Sequence, residues 1–87
     1  MRNVILTSEH IRAARALLRW EQRQLADESS VSLPTIKRLE AKPGVLVAHN
    51  STVMALRAAF EVAGIEFTNG DQPGVRLRKS PPSKKSK

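Results

Sequence analysis

The chain contains no cysteine and no tyrosine among its 87 residues, and apart from two histidines its only aromatic rings are one tryptophan and two phenylalanines. Without cysteine there is neither a disulfide nor a thiolate metal site to brace a small fold, so packing must hold it together. No apolar run approaches the ~18–20 residues of a membrane span. The opening "MRNVILTSEH" reaches Thr7-Ser8-Glu9 after too few apolar residues for a signal peptide. The expectation is one soluble, cytoplasmic domain with no room for a second core. His10 and His49 stand far apart with no carboxylate or thiol pattern around them, which gives no metal site. No serine sits in a nucleophile elbow and no glycine-rich phosphate loop is present, so no catalytic residue, no cofactor and no enzyme activity are expected.

Acidic charge is scarce at one end. The net charge is +7, but from Arg76 onward there are six basic residues and no acid. The first 75 residues hold nine basic against eight acidic side chains, a net of +1. Between Ile11 and Lys42, seven basic residues face four acids, and a milder positive bias remains there. This distribution suits a nucleic-acid partner without requiring one.

Hydrophobic spacing divides the chain into four helices and a hairpin. Thr7 reads as an N-cap, with Leu6 and Ile11 at the spacing of a hydrophobic staple. "SEHIRAARALLRW" then places Ile11, Ala14 and Leu18 inward with Leu17 beside them, and Arg12, Arg15 and Arg19 on another face. "EQRQLADES" is a second, short helix with Leu25 and Ala26 inward. After the turn "SSVS", Ser32 caps a third helix, "LPTIKRLEA", anchored by Ile36 and Leu39 and ended by Pro43-Gly44. Asn50 or Ser51 is the expected cap of the fourth, "STVMALRAAFEVA", with Val53, Leu56, Phe60 and Ala63 on one stripe and Gly64 just past its end. "IEFT" and "VRLR" alternate around "NGDQPG" as a hairpin. The expected divisions are an arm over 1–6, a helical domain over 7–64, a hairpin over 65–78 that offers a dimer edge, and a disordered basic tail over 79–87.

Two short helices joined by about four residues, the second carrying exposed cations, have the spacing of a helix-turn-helix. Such a crossing needs a small residue midway along the first helix, here Ala26, and an apolar filler at the turn, here Val31. It also needs anchors that leave the second helix's other face outward. Ile36 and Leu39 do this, exposing Leu33, Pro34, Lys37 and Arg38.

Through "IRAARALL", "QRQLA", "VS" and "TIKRLE", the segment from Leu6 to Phe60 resembles the Cro and phage-repressor (Xre-type) DNA-binding domains. The ending "GIEF…GVRLR" is similar to that of small bacterial members. The resemblance implies an all-α, lambda-repressor-like four-helix domain with a short C-terminal β-hairpin. It implies a structural ion pair between Arg15 and Glu40 and a phosphate contact by Gln22. Three positions depart from the family pattern: Ser30 where glycine is favoured, Glu21 where a serine cap is usual, and Arg19 where glycine often stands. Ser30 is therefore expected to take positive φ at a cost of about 1 kcal/mol.

The recognition helix, 33–41, opens with two residues that offer a base edge no hydrogen bond. Pro34 is harmless there, because the first amides of a helix lack intrahelical acceptors, and it stiffens the entry. Leu33 suits a thymine C5-methyl, the apolar mark of the major groove. Lys37 and Arg38 carry the polar reading, arginine being the usual bidentate partner of guanine. Ser32, Thr35, Arg23 and Lys42 join Gln22 as candidate phosphate contacts. The plain alternatives are a solvated helix face for Lys37 and Arg38, and a core or dimer residue for Leu33.

The expected function is sequence-specific binding of double-stranded DNA by a bacterial or phage-type transcriptional regulator, a repressor working as a homodimer on a palindromic site. The edge of "GVRLRK" is the first expected dimer surface and helix four its competitor. The rival is the same fold used as a protein-binding module, an antitoxin or anti-activator, with Leu33 and Pro34 docking on a protein partner.

Overall fold

Thr7 caps the first helix as its sequence implies. In the computed structural model, which describes residues 5–68 and 74–78, its hydroxyl accepts the His10 backbone N–H at 3.1 Å. The helix α1 runs Ser8–Leu18. The cap has a second half that the sequence reading did not foresee: the Thr7 N–H donates to His10 Nδ1 at 3.1 Å. An imidazole thus fills the place a glutamate or glutamine holds in the usual capping box. Leu6 and Ile11, at staple spacing, are both buried.

α1 stops at Leu18 rather than at Trp20. Arg19 turns into the left-handed region at φ 59, and the Trp20 N–H folds back to the Arg15 carbonyl at 2.9 Å. Leu17, expected beside Leu18 on the inward side, is exposed. The next helix, α2, spans Gln22–Ser29, and Glu21 precedes it without a side-chain capping bond. Ser30 takes φ 64, as expected of a non-glycine residue at that turn. Ser29 secures the turn by donating its hydroxyl to the Leu25 carbonyl at 2.7 Å and accepting the Val31 N–H at 3.1 Å.

α3 covers Leu33–Ala41, the expected span, with Ser32 as its cap. Gly44, at φ 96, gives the chain its exit after Pro43. α4 runs Asn50–Val62, and its N-cap is His49 rather than Asn50 or Ser51. Asn50 is already helical and turns its amide toward the Met54 sulfur, so the His49 carbonyl receives the first amides, from Thr52 and Val53. Gly64 follows the helix at φ 105 and releases the chain into β1 (Ile65–Thr68). β1 pairs antiparallel with β2 (Gly74–Leu77), with Ile65 opposite Leu77 and Phe67 opposite Val75. Most of the turn "NGDQPG", residues 1–4 of the arm and the tail lie outside the described residues.

Ile11 and Ala14 of α1, Leu25 of α2, Ile36 and Leu39 of α3, and Leu56 and Phe60 of α4 form one buried cluster with Ile65. Each fully buried aliphatic or aromatic side chain contributes about 1.5–3 kcal/mol relative to exposure. The aromatic rings form a line through this core. Trp20 stacks on Phe60 with centroids 5.8 Å apart, Phe60 meets Phe67 edge-on at 6.0 Å, and Phe67 meets His10 at 5.9 Å. Trp20, on the linker between α1 and α2, thereby ties that linker to α4. No helix among the described residues is long and apolar enough to cross a membrane.

Candidate nucleic-acid interface

The outward face of α3 is built by what holds its inward face. Ile36 and Leu39 are buried, and Val31 packs against the same core from the turn. Glu40 closes the helix, and its side chain is only 5% exposed. Its carboxylate accepts two parallel hydrogen bonds from Arg15, Nε to Oε2 at 2.7 Å and Nη2 to Oε1 at 2.8 Å. The ion pair that the resemblance implied is therefore present. Bidentate geometry of this kind fixes orientation as well as energy.

Glu40 gathers more partners than the sequence suggested. Gln22 donates its side-chain amide to Glu40 Oε1 at 3.1 Å, and Arg12 donates to the Glu40 carbonyl at 2.8 Å. Arg15 also reaches the Trp20 carbonyl at 2.9 Å. One buried carboxylate thus joins α1, the start of α2 and the end of α3, and Arg15 extends the connection to the α1–α2 linker. Arg12 and Arg15 lie three apart on one face of α1, and that spacing was the available signal for Arg12.

A second fastening holds the exit of α3. Ser8 donates its N–H to the Gly44 carbonyl at 2.9 Å, and Leu46 donates to the Leu6 carbonyl at 3.1 Å. Glu9 accepts the Gly44 N–H at 3.2 Å. Backbone donors, its own amide first and that of Gly44 next, hold the Glu9 carboxyl below the usual range. The segment leaving α3 is therefore tied, through Gly44 and Leu46, to the start of α1 and the residue before its cap.

With those anchors set, Pro34, Lys37 and Arg38 are exposed together on one side of α3, and Leu33 is half-buried at its start. Ser32 and Thr35 lie at the same end. The Ser32 hydroxyl accepts the Thr35 N–H at 3.3 Å and donates to Thr35 Oγ1 at 2.9 Å, so both hydroxyls already serve the cap. Lys42 is exposed at the other end. With Arg38 it borders a hollow of about 250 Å³ whose floor includes Leu39, Leu46 and the exposed Val45 and Val47.

Arg23 is exposed on the first turn of α2, where amides lack intrahelical acceptors. Arg19, fixed by its left-handed turn, borders a separate hollow with Trp20, Arg23 and Gln24 and with the acids Glu21 and Asp27. No local pattern signals that position, because Arg19 reaches α2 only through the chain reversal it makes itself. Gln22 is the one candidate whose side-chain amide is occupied, by Glu40; a phosphate there would meet its backbone N–H or displace that bond.

The outward side of α3 presents Lys37 and Arg38, the hydroxyls of Ser32 and Thr35 and the apolar Leu33 and Pro34, a pattern that meets phosphates, base acceptors and thymine methyls. At α2 the acids Glu21 and Asp27 stand with Arg19 and Arg23. Among the described residues, no group of three or more metal-ligating side chains comes together. No family model matches the chain, and no curated protein aligns with it significantly.

Proposed function

We propose that this chain is a helix-turn-helix regulator of the Cro and phage-repressor type, binding double-stranded DNA with α3 in the major groove. The observation that carries the reading is the fixing of α3. Its inward side is held by Ile36, Leu39 and the Arg15–Glu40 pair, while Pro34, Lys37 and Arg38 stand exposed. A reading element must be rigid, because base-edge hydrogen bonds discriminate only when donors are held in register.

In this reading Arg38 takes guanine O6 and N7, and Lys37 a neighbouring acceptor. Leu33 and Pro34 supply shape and a thymine methyl contact. Arg23, the first amides of α2 and Lys42 hold phosphates on either side, and Arg19 is added to them by its position. Ser32 and Thr35 contribute to that positioning from the cap. Gln22 is assigned first to Glu40 and second to phosphate. The role is regulation by occupancy of DNA, with no chemistry performed. One module of this size buries little surface, so two copies on a two-fold site give the needed selectivity.

A second reading draws on Val45 and Val47, which are exposed beside α3. With Leu33 and Pro34 they would suit a protein partner. Selection of bound duplexes from a random library separates the two. Enrichment of one short, two-fold motif supports the regulator; recovery of no motif, with a protein captured through Leu33 and lost in Leu33→Asp, supports the rival.

A further inference from the structure

Arg12, Arg15, Arg57, Arg76 and Arg78 each hold a carboxylate, at 2.6 to 3.8 Å. Arg38 and Lys42, four positions apart at the end of α3, hold none among the described residues, and no acidic side chain lines the hollow they border. The rest of that lining is apolar. Leu39 is buried beneath it and Leu46 half-buried, while Val45 and Val47 are 62% and 69% exposed. The valines are also held in place. The Leu46 N–H donates to the Leu6 carbonyl at 3.1 Å, and Val45 pairs with Thr7 as a single antiparallel bridge. Their branched side chains have few rotamers, so the wall they form exists before any ligand arrives.

This combination selects a ligand. A phosphate uses the two cations but gains nothing from the apolar surface, and a neutral apolar molecule leaves the cations unused. A molecule with a carboxylate at one end and a compact apolar body uses both. Size narrows the class. A cavity of about 150 Å³ admits benzene, so a hollow of about 250 Å³ takes one ring or one branched chain with its carboxylate, not a run of peptide side chains.

We propose that this hollow binds a small aryl or branched-alkyl carboxylate, its apolar body against Val45, Leu46 and Val47 and its carboxylate on Arg38 and Lys42. The planar fork of the Arg38 guanidinium matches a carboxylate with two parallel hydrogen bonds, and Lys42 adds a point charge beside it. The consequence rests on the functional reading above, in which Arg38 reads a base. One guanidinium does not hold a carboxylate and a guanine edge together, so ligand and duplex exclude each other, and the ligand releases the DNA.

The site is tested first without DNA, so that it and the functional reading fail separately. The isotope-labelled full chain is titrated with phenylacetate, with acetate (charge without ring) and with phenethyl alcohol (ring without charge), and its amide shifts are followed by NMR. Phenylacetate is expected to give saturable shifts centred on Arg38 and residues 45–47, with a Kd of about 1 mM for so small a ligand. Each partial probe is expected to bind at least about tenfold more weakly. Val47→Ser and Arg38→Gln, both at exposed positions, should each weaken phenylacetate by about tenfold and leave the rest of the spectrum in place. No saturation by about 20 mM phenylacetate overturns the site. So does a partial probe that binds as tightly, or binding that Val47→Ser leaves unchanged.

The exclusion is then read on the preferred duplex. Phenylacetate at about ten times its Kd is expected to weaken the wild type for that duplex about tenfold beyond the effect of equimolar acetate, by mass action. Val47→Ser should keep the wild-type duplex affinity and lose this response. A duplex affinity indifferent to bound phenylacetate overturns the exclusion. A chain that saturates with phenylacetate yet prefers no duplex overturns the functional reading, and the exclusion with it, while the carboxylate site stands.

Discussion

Arg15 and Glu40 lie 25 positions apart in sequence and share two hydrogen bonds of 2.7 and 2.8 Å, with the glutamate almost wholly enclosed. Removing either partner leaves the other with an uncompensated charge. Arg15→Ala and Glu40→Ala are each expected to cost about 2–4 kcal/mol in urea unfolding, the lower figure applying because Arg15 retains some contact with water. The double variant Arg15→Met/Glu40→Leu is expected to be more stable than either single one. If the losses simply add, the pair is not coupled.

Two non-glycine residues end helices in the left-handed region, Arg19 at φ 59 and Ser30 at φ 64. Glycine meets no steric cost there. Ser30→Gly is expected to stabilise the fold by about 1 kcal/mol, raising the thermal midpoint by about 4–8 °C in a chain of this size. Ser30→Val is expected to destabilise it, since a β-branched residue tolerates positive φ worst. Arg19→Gly should likewise stabilise, and if Arg19 holds a phosphate the same variant should lower DNA affinity. A stabilised variant with unchanged DNA affinity would remove Arg19 from the interface.

Most of this architecture was legible in the sequence. The apolar spacing placed α3 at its observed bounds, and Thr7, Ser32 and Gly64 marked helix ends through capping chemistry that acts within a few residues. What escaped were relations between distant segments. The Arg15–Glu40 pair came with the family resemblance, but Arg12 and Gln22 join it at Glu40 only when three helices cross, and Gly44 meets Ser8 and Glu9 from 36 and 35 residues away. Helix one looked longer because nothing in "LLRWEQ" forbids helix; the turn at Arg19 is selected by the stacking of Trp20 on Phe60. His10 carried no local sign of its capping role, since histidine is an unusual residue for that place.

His10 makes stability depend on pH. Its Nδ1 accepts the Thr7 N–H and so must carry no proton, and burial pushes its pKa below the ordinary value of 6.5 against an opposing pull from Glu9. The unfolded chain then binds the proton more readily than the folded one. The stabilisation is complete above pH ~6.5 and is lost as pH falls through the lower folded value. Glu9 and Glu66 titrate below the usual carboxylate range, so they add their own loss only at more acid pH. Urea midpoints are expected to fall between pH 7.5 and 5.5 in the wild type and to stay nearly level over that range in His10→Gln. Equal slopes in both proteins would assign the dependence elsewhere.

Arg38 and Arg23 are expected to fail differently. Arg38→Ala should lose about 1–3 kcal/mol on its preferred duplex and relax selectivity at one base position. Arg23→Ala should weaken all duplexes about equally and reduce the dependence of log K on log salt by about one. Titrations of both variants on preferred and altered duplexes at several salt concentrations distinguish these outcomes. Identical behaviour of the two would remove the division between reading and positioning.

The most direct measurement is competitive titration of the purified, folded chain at moderate ionic strength, with its best selected duplex set against a scrambled one. A preference of at least about a thousandfold is expected, falling sharply in Lys37→Ala/Arg38→Ala while the circular dichroism stays that of the wild type. Equal affinity for both duplexes, or a preference that survives loss of Lys37 and Arg38, would contradict the placement of α3 in the groove.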